Sequence, residues 1–193
     1  MDSKQSPSPA VRRAPTPVKL VIAGGFGVGK TTTVGAISEI TPLTTEAAMT
    51  VAGAASDQLG RTPDKTTTTV ALDFGVITID EAIKLYLFGT PGQDRFGFMW
   101  HDLTFGALGA LVIVDTERID DCYAAVDYFE QIKLPFVVGI NMFDGKPKHS
   151  MQEIRWALNI GDHVPLVLFD ARERLSVRDA LLEVVRTARE SLT

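Results

Sequence analysis

The stretch Gly24-Gly25-Phe26-Gly27-Val28-Gly29-Lys30-Thr31 decides how this chain folds. It follows the apolar run Val18 to Ala23, which predicts a strand, and it precedes a stretch typical of a helix. Gly24, Gly27 and Gly29 can adopt positive φ, so the backbone can turn tightly and point consecutive N–H groups at one anion. The order of strand, glycine-rich loop and helix predicts a phosphate-binding loop for a nucleoside triphosphate.

The side chains at the end of this loop have the chemistry that a nucleotide needs. Lys30 can reach the β- and γ-phosphates, and the hydroxyl of Thr31 is placed to ligate Mg²⁺. The helix expected from about Lys30 adds the positive end of its dipole. We expect the nucleotide to contact Gly24, Gly25, Phe26, Gly27, Val28, Gly29, Lys30, Thr31 and Thr32. The alternative is a glycine-rich turn without a ligand, but this motif after a β-rich run rarely arises by accident.

Length and charge limit the classes of protein to which this chain can belong. With 193 residues it is expected to hold one folded domain. Its formal net charge of −5 argues against a nucleic-acid-binding surface. The longest apolar run, Ala107 to Val114, is far shorter than the roughly 20 residues that span a bilayer. We therefore expect a cytoplasmic protein without a direct membrane anchor.

The order of apolar segments predicts an α/β fold. Residues 1–17 are rich in Ser and Pro and are expected to form a disordered tail before a domain over residues 18–193. Strand-like and helix-like segments then alternate, which indicates a sheet covered by helices on both faces. Thr41 to Asp64 is expected to be a long mobile loop, whereas Thr68 to Ile79 and Ala82 to Phe88 predict an antiparallel hairpin. Ser176 is the expected N-cap of the last helix.

A second motif follows the predicted buried strand Phe136 to Ile140. It reads Asn141-Met142-Phe143-Asp144, and an Asp at this position can accept both donors of a guanine edge. Asn141 would bridge the base and the phosphate loop, and the N–H of Ala171 could contact the guanine oxygen. The alternative is a polar turn before Gly145.

A third motif, Thr90-Pro91-Gly92-Gln93, follows the strand that ends at Phe88. The N–H of Gly92 can meet the γ-phosphate, and Gln93 can orient an attacking water, because phosphoryl transfer depends on positioning. The threonines at 66–69 offer a second hydroxyl for Mg²⁺ that would loosen once the γ-phosphate leaves.

With these motifs, the chain resembles the Ras-type small GTPases from Val18 to its end. It resembles more closely the GTP-binding proteins of actinobacterial conservon operons, and more distantly the bacterial polarity GTPases of the Mgl type. The resemblance implies a P-loop G domain, with a mostly parallel central sheet, one antiparallel edge hairpin and helices on both faces. It also implies Mg²⁺ bound by Thr31 and Thr69, Gln93 as the catalytic residue, and GTP or GDP recognised at Gly92, Asn141, Asp144 and Ala171.

Three positions depart from the family pattern. Gly89 stands where the pattern has an Asp, which predicts weaker metal binding, and Met142 stands where it has a Lys. Phe26 occupies a loop position that is usually Gly, and its ring could crowd Gln93. Together these departures predict slow intrinsic hydrolysis. Arg61 and Arg95 are the candidates in this chain for a compensating arginine finger.

The resemblance implies a guanine-nucleotide switch with a roadblock-type regulator and a sensor-kinase-like membrane protein as partners. Membrane association would then come through those partners. The cluster Phe96, Phe98, Met99 and Trp100 suits a docking surface, although it could equally pack on the domain's own core. Two alternatives remain open: an adaptor subunit that binds nucleotide with little turnover, and an ATP-binding variant, which Met142 suggests.

Overall fold

The computed structural model describes residues 14–50, 67–79, 81–92, 94–143, 145 and 148–192. For 44–50, 67–71 and 94–96 it describes the backbone alone. The strands are β1 (Thr16–Ala23), β2 (Leu43–Thr50), β3 (Thr67–Thr78), β4 (Ile83–Gly89), β5 (Gly109–Val114), β6 (Phe136–Asn141) and β7 (Leu166–Phe169). The α-helices are α1 (Lys30–Ile37), α2 (Trp100–Thr104), α3 (Tyr123–Ile132), α4 (Met151–Leu158) and α5 (Arg174–Glu190), with 3₁₀ turns over Asp94–Met99 and Ile119–Cys122.

Within the described residues the strands form one sheet of seven, in the order β2-β3-β4-β1-β5-β6-β7. β1 lies parallel to β4 and β5, and β6 lies parallel to β5 and β7. β3 runs antiparallel to both of its neighbours, β2 and β4. The predicted α/β class with a mostly parallel sheet is confirmed.

Helices cover both faces of the sheet, because successive residues of each central strand point to opposite sides. On one side, Leu20 and Ile22 of β1 pack in a core with residues of α1 and α5. On the other, Val21 and Ala23 pack with residues of α3 and α4. All six residues of β5 and of β6 are buried, as expected for strands covered on both faces. No described helix is long and apolar enough to cross a membrane.

The segment before the hairpin differs from the expectation. The hairpin of β3 and β4 is present, but part of the expected loop, Leu43–Thr50, is a strand that pairs with β3 on its outer side. The hairpin is therefore not at the edge of the sheet, and the antiparallel part contains two pairs of strands. The segment has no strict alternation of apolar and polar residues, so its extended form depends on the backbone hydrogen bonds that β3 offers.

The last helix also begins earlier than predicted. α5 starts at Arg174 with Glu173 as its N-cap, so the assignment of Ser176 as the N-cap is wrong. The hydroxyl of Ser176 instead accepts a hydrogen bond of 2.9 Å from the N–H of Asp170, at the end of β7. The Ser176 side chain thus stabilises the loop after β7, next to the expected nucleotide site.

We predict that Gly75→Ala destabilises the protein. Gly75 lies in β3 against α1, where an added Cβ would be 2.6 Å from the Cγ1 of Val34 and 3.1 Å from the Cβ of Ser38. Val34 is fully buried and stiff at χ1, so relief requires a backbone shift that costs about 1–3 kcal/mol. Denaturant unfolding measures the free energy of unfolding. The control is Gly97→Ala, whose added Cβ meets nothing within 4 Å; equal stability of the two variants would contradict the prediction.

Candidate functional site

The glycine-rich loop lies at the carboxyl end of β1 and has a backbone that its glycines permit. Gly24, Gly27 and Gly29 have φ of 134°, 75° and 110°. A Cβ on Gly24 would lie 2.3 Å from the carbonyl oxygen of Ile113, which leaves no room for a side chain. α1 follows directly, with Gly29 as its N-cap and without a side-chain cap or an acidic residue in its first turn. The free N–H groups at its start can therefore serve an anion.

Lys30 is buried in the centre of this loop. Its ammonium donates to the carbonyl oxygens of Gly24, at 2.9 Å, and Gly25, at 2.5 Å. The residue is 8% exposed. Burial lowers the pKa of Lys30 to about 8, although the negative charge of Asp73 acts in the opposite direction. A buried cation paired mainly with neutral carbonyls gains strongly from an anionic partner such as a phosphate.

The hydroxyl of Thr31 donates a hydrogen bond of 2.6 Å to the Oδ2 of Asp73 on β3. Asp73 is 8% exposed, and the sequence analysis gave it no role. A Cβ on Gly89 would lie 3.0 Å from the Cβ of Asp73 and 3.3 Å from its Oδ2. The carboxylate of Asp73 therefore lies next to the backbone of Gly89, the position at which the Ras-type pattern has an Asp. Asp73 is the one acidic residue of β3, and this was the signal that could have identified it.

These oxygens are suited to a magnesium ion. A carboxylate and a hydroxyl are hard oxygen ligands, which Mg²⁺ prefers. Thr90 lines the same cavity as Thr31 and Asp73. Its buried hydroxyl has no hydrogen-bond partner among the described residues, so a polar group at this point remains to be satisfied. The residues present thus fit a hydrated cation.

Gly92 lies directly over Lys30. A Cβ on Gly92 would be 2.6 Å from the Nζ of Lys30, 2.9 Å from the carbonyl oxygen of Gly25 and 3.0 Å from the Cα of Phe26. The backbone after β4 therefore covers the ammonium group. Phe26 itself is 69% exposed at the rim of this cavity, so its ring points away from the core.

Asn141 connects the phosphate loop to the last strand. Its Nδ2 donates to the carbonyl oxygen of Val28 at 2.9 Å, and its Oδ1 accepts from the N–H of Ala171 at 3.2 Å. Asn141 is 6% exposed, and a Cβ on Gly29 would lie 2.8 Å from its Nδ2. The structure thus brings Asn141 and Ala171 together with the loop, and the Ala171 N–H that we expected to face a base is bonded to Asn141.

Thr69 lies in β3, where its backbone pairs with Ala48 of β2. Its side chain is outside the described part of the chain, so the assignment of Thr69 as an Mg²⁺ ligand stays a prediction.

Part of the expected site lies outside the described residues. Gln93, Asp144 and Arg61 lie outside the described residues, and Arg95 is described by its backbone alone, in the 3₁₀ turn after Gly92. Thr32 is exposed in the first turn of α1 and lines the cavity that contains Thr31.

The expected docking cluster is divided between the surface and the core. Phe98 is 63% exposed, whereas Trp100 is 7% exposed. The ring of Trp100 stacks on Phe129 at 6.4 Å between centroids and meets the edge of Tyr128 at 5.2 Å. Trp100 therefore belongs to the core, which is the second of the two arrangements expected for this cluster, whereas Phe98 lies at the surface.

Comparisons with known proteins agree with a nucleotide site. A relative from Methanocaldococcus jannaschii, itself an uncharacterized protein, is 32% identical over 129 residues, which are 66% of this chain and 71% of the relative. A family model described as "conserved hypothetical ATP binding protein" matches residues 22–191, and this span contains the phosphate loop, Asp73, Gly92 and Asn141. Because the match covers nearly the whole domain, the chain belongs to this family of conserved ATP-binding proteins.

Proposed function

We propose that this protein is a nucleotide-dependent switch that binds Mg²⁺ with a nucleoside triphosphate and hydrolyses it slowly. The observation that carries the proposal is Lys30, whose buried ammonium lies inside a loop of main-chain amides and beneath Gly92. A polyphosphate would replace the two carbonyl partners of Lys30 with negative oxygens. That exchange gives binding energy and also moves Gly92 away from the ammonium.

Hydrolysis would follow the usual course of phosphoryl transfer. The oxygen of a water bonds to the γ-phosphorus while the bond to the β,γ-bridging oxygen breaks, which gives nucleoside diphosphate and phosphate, and the water proton is released. Lys30 and the loop amides would stabilise the charge that develops on the phosphate oxygens. Gln93 is proposed to orient the water, and no in-chain arginine is assigned to assist it.

Thr31 and Asp73 are the residues that would hold a magnesium ion. The ion would neutralise charge on the β- and γ-phosphate oxygens. Asp73 would orient the Thr31 hydroxyl or a metal-bound water, which is the role that an Asp at position 89 would have in the family pattern. This arrangement supports metal binding despite Gly89.

The contact of Gly92 with Lys30 supports a switch. A γ-phosphate bound at Lys30 needs the space next to the ammonium that the backbone of Gly92 covers. Its arrival would therefore displace the segment after β4, and its loss would allow the segment to return. Phe98, which is exposed in that segment, gives partners a side chain that moves with the state of the nucleotide.

For the base we propose guanine. The support is the Asn141-to-Asp144 segment after β6, in which Asn141 already holds the phosphate loop. Adenine is the second candidate, because the family is described as ATP-binding and Met142 replaces the Lys of the guanine motif. Direct competition between the two bases separates these candidates.

The resemblance to conservon GTPases also supports a class of partners. We propose a roadblock-type regulator and a sensor-kinase-like membrane protein, with membrane association through them.

In the adaptor alternative the protein binds nucleotide as a structural subunit without turnover. The exposed Phe26 beside Gly92 favours this alternative, because the Phe26 ring can keep catalytic groups from the γ-phosphate.

The affinity for nucleotide should depend on pH through Lys30. In the free protein its pKa is about 8, and a bound phosphate raises it, so the complex retains the proton. The affinity for nucleotide is then constant below pH 8 and falls about tenfold per pH unit above pH 8. Calorimetric titration with ADP from about pH 7 to about pH 10 measures this. Lys30→Arg should bind more weakly but without the pH dependence, because its guanidinium does not titrate; an equal slope in both proteins would refute this role.

Asp73→Asn should remove most of the effect of Mg²⁺ on triphosphate binding while the protein stays folded. The amide keeps the shape of the side chain but loses its charge. We therefore expect the increase in triphosphate affinity that Mg²⁺ causes to be about 10–100-fold smaller. The matched test is the double variant Asp73→Gly/Gly89→Asp, which moves the carboxylate to the neighbouring strand and removes the Cβ that would lie 3.0 Å from the new one. Restored magnesium dependence supports the metal role, whereas an unchanged Asp73→Asn protein contradicts it.

Competition of GDP and ADP for the wild-type protein, with Mg²⁺ present, tests the base. We expect GDP to displace ADP, and tighter ADP binding would replace guanine with adenine. Multiple-turnover phosphate release with the preferred triphosphate then tests the enzyme. We expect slow release that Gln93→Leu abolishes, and binding without any release would establish the adaptor alternative.

A further inference from the structure

Arg118 lies against the outer side of the phosphate loop. It follows β5 and immediately precedes the 3₁₀ turn Ile119–Cys122. Its Nη2 is 3.6 Å from the point that a Cβ on Gly27 would occupy. Sequence reasoning did not single out this residue, because it is 91 positions from Gly27 in the chain and belongs to no motif.

Two carboxylates set the direction of the Arg118 side chain. Its Nε bonds to the Oδ2 of Asp115 at 3.2 Å, and its Nη1 lies 3.6 Å from the Oδ2 of Asp121. Asp115 also accepts a hydrogen bond of 3.0 Å from the N–H of Glu117. Asp121 packs closely on Gly25, because a Cβ added to Gly25 would lie 2.5 Å from the Cβ of Asp121. The two ion pairs thus hold the guanidinium beside the loop.

Arg118 also borders a cavity of about 480 Å³ that leads away from the loop. The opposite wall is the end of β6 and the residues after it, including Asn141 and Met142. Among the described lining residues the cations are Arg118 and Lys148, and Lys148 is paired with Glu117 at the rim. Arg118 is 46% exposed, so part of its fork can donate to a ligand while Asp115 retains its bond.

We propose that Arg118 binds the sugar and α-phosphate end of a nucleotide whose terminal phosphates lie in the loop, an inference that rests on the proposed nucleotide binding. Lys30 and Gly92 lie together on the side of the loop that would face the terminal phosphates, whereas the Arg118 guanidinium lies next to Gly27. A nucleotide that extends from the loop toward the end of β6 passes this guanidinium. Arg118 thereby supplies the positive charge that Met142 does not.

The test is calorimetric titration of wild type, Arg118→Gln and Arg118→Lys with Mg²⁺, using pyrophosphate and whichever of ADP and GDP binds more tightly. Arg118→Gln should lower the affinity for the nucleoside diphosphate about tenfold, the effect of one exposed charge-assisted hydrogen bond, and leave pyrophosphate within about twofold. Arg118→Lys should lie between. The control is Arg178→Gln. Arg178 lies in α5, has nearly the same exposure, 47%, and has a carboxylate partner, so this variant should bind as wild type does.

Two results would overturn the inference. One is nucleotide affinity in Arg118→Gln equal to that of wild type. The other is an equal loss for nucleotide and pyrophosphate, which would mean that the variant acts through the unpaired charges of Asp115 and Asp121 on any phosphate. Failure of the wild-type protein to bind either ligand would instead refute the proposed function itself.

Discussion

The buried amide of Asn141 holds the phosphate loop in the place that the rest of the site requires. One side chain joins the carbonyl of Val28 to the N–H of Ala171, and so ties the loop, the end of β6 and the loop after β7 into one unit. Two glycines allow the loop to pack this closely. A Cβ on Gly24 would collide with the Ile113 carbonyl oxygen, and a Cβ on Gly29 would collide with Asn141 itself. A rigid loop is what lets several weak N–H dipoles act on one anion.

A carboxylate reaches the phosphate loop from a neighbouring strand. Asp73 of β3 accepts the Thr31 hydroxyl and lies next to Gly89 of β4, the position at which the Ras-type pattern has an Asp. Parallel and antiparallel strands lie about 4.8 Å apart, so side chains on adjacent strands can substitute for one another in space. Arg118 and Met142 likewise come from different elements and line the same cavity.

The parts of the fold that follow from local pattern were predictable. The buried strands β5 and β6, the hairpin of β3 and β4 and the loop before α1 each follow from apolar runs, turn residues or glycine spacing. β2 was missed because Leu43–Thr50 has no alternation, and its extension depends on a partner strand. Whether Trp100 lies in the core or at the surface was left open, because Phe98, Met99 and Trp100 have the same apolar character in sequence. Its burial depends on Tyr128 and Phe129 from α3.

The sequence by itself determined the phosphate loop, its lysine and its threonine, because glycine φ angles, the start of a helix and the reach of two side chains are all local properties within eight residues. Tertiary structure alone decided which acid stands beside Thr31, which cation borders Gly27 and which backbone covers Lys30. Asp73, Arg118 and Gly92 come from three different segments, and their distances to the loop are set by the pairing of β3, β4 and β5 with their neighbours. No spacing along the chain encodes a contact that exists only once those strands lie side by side.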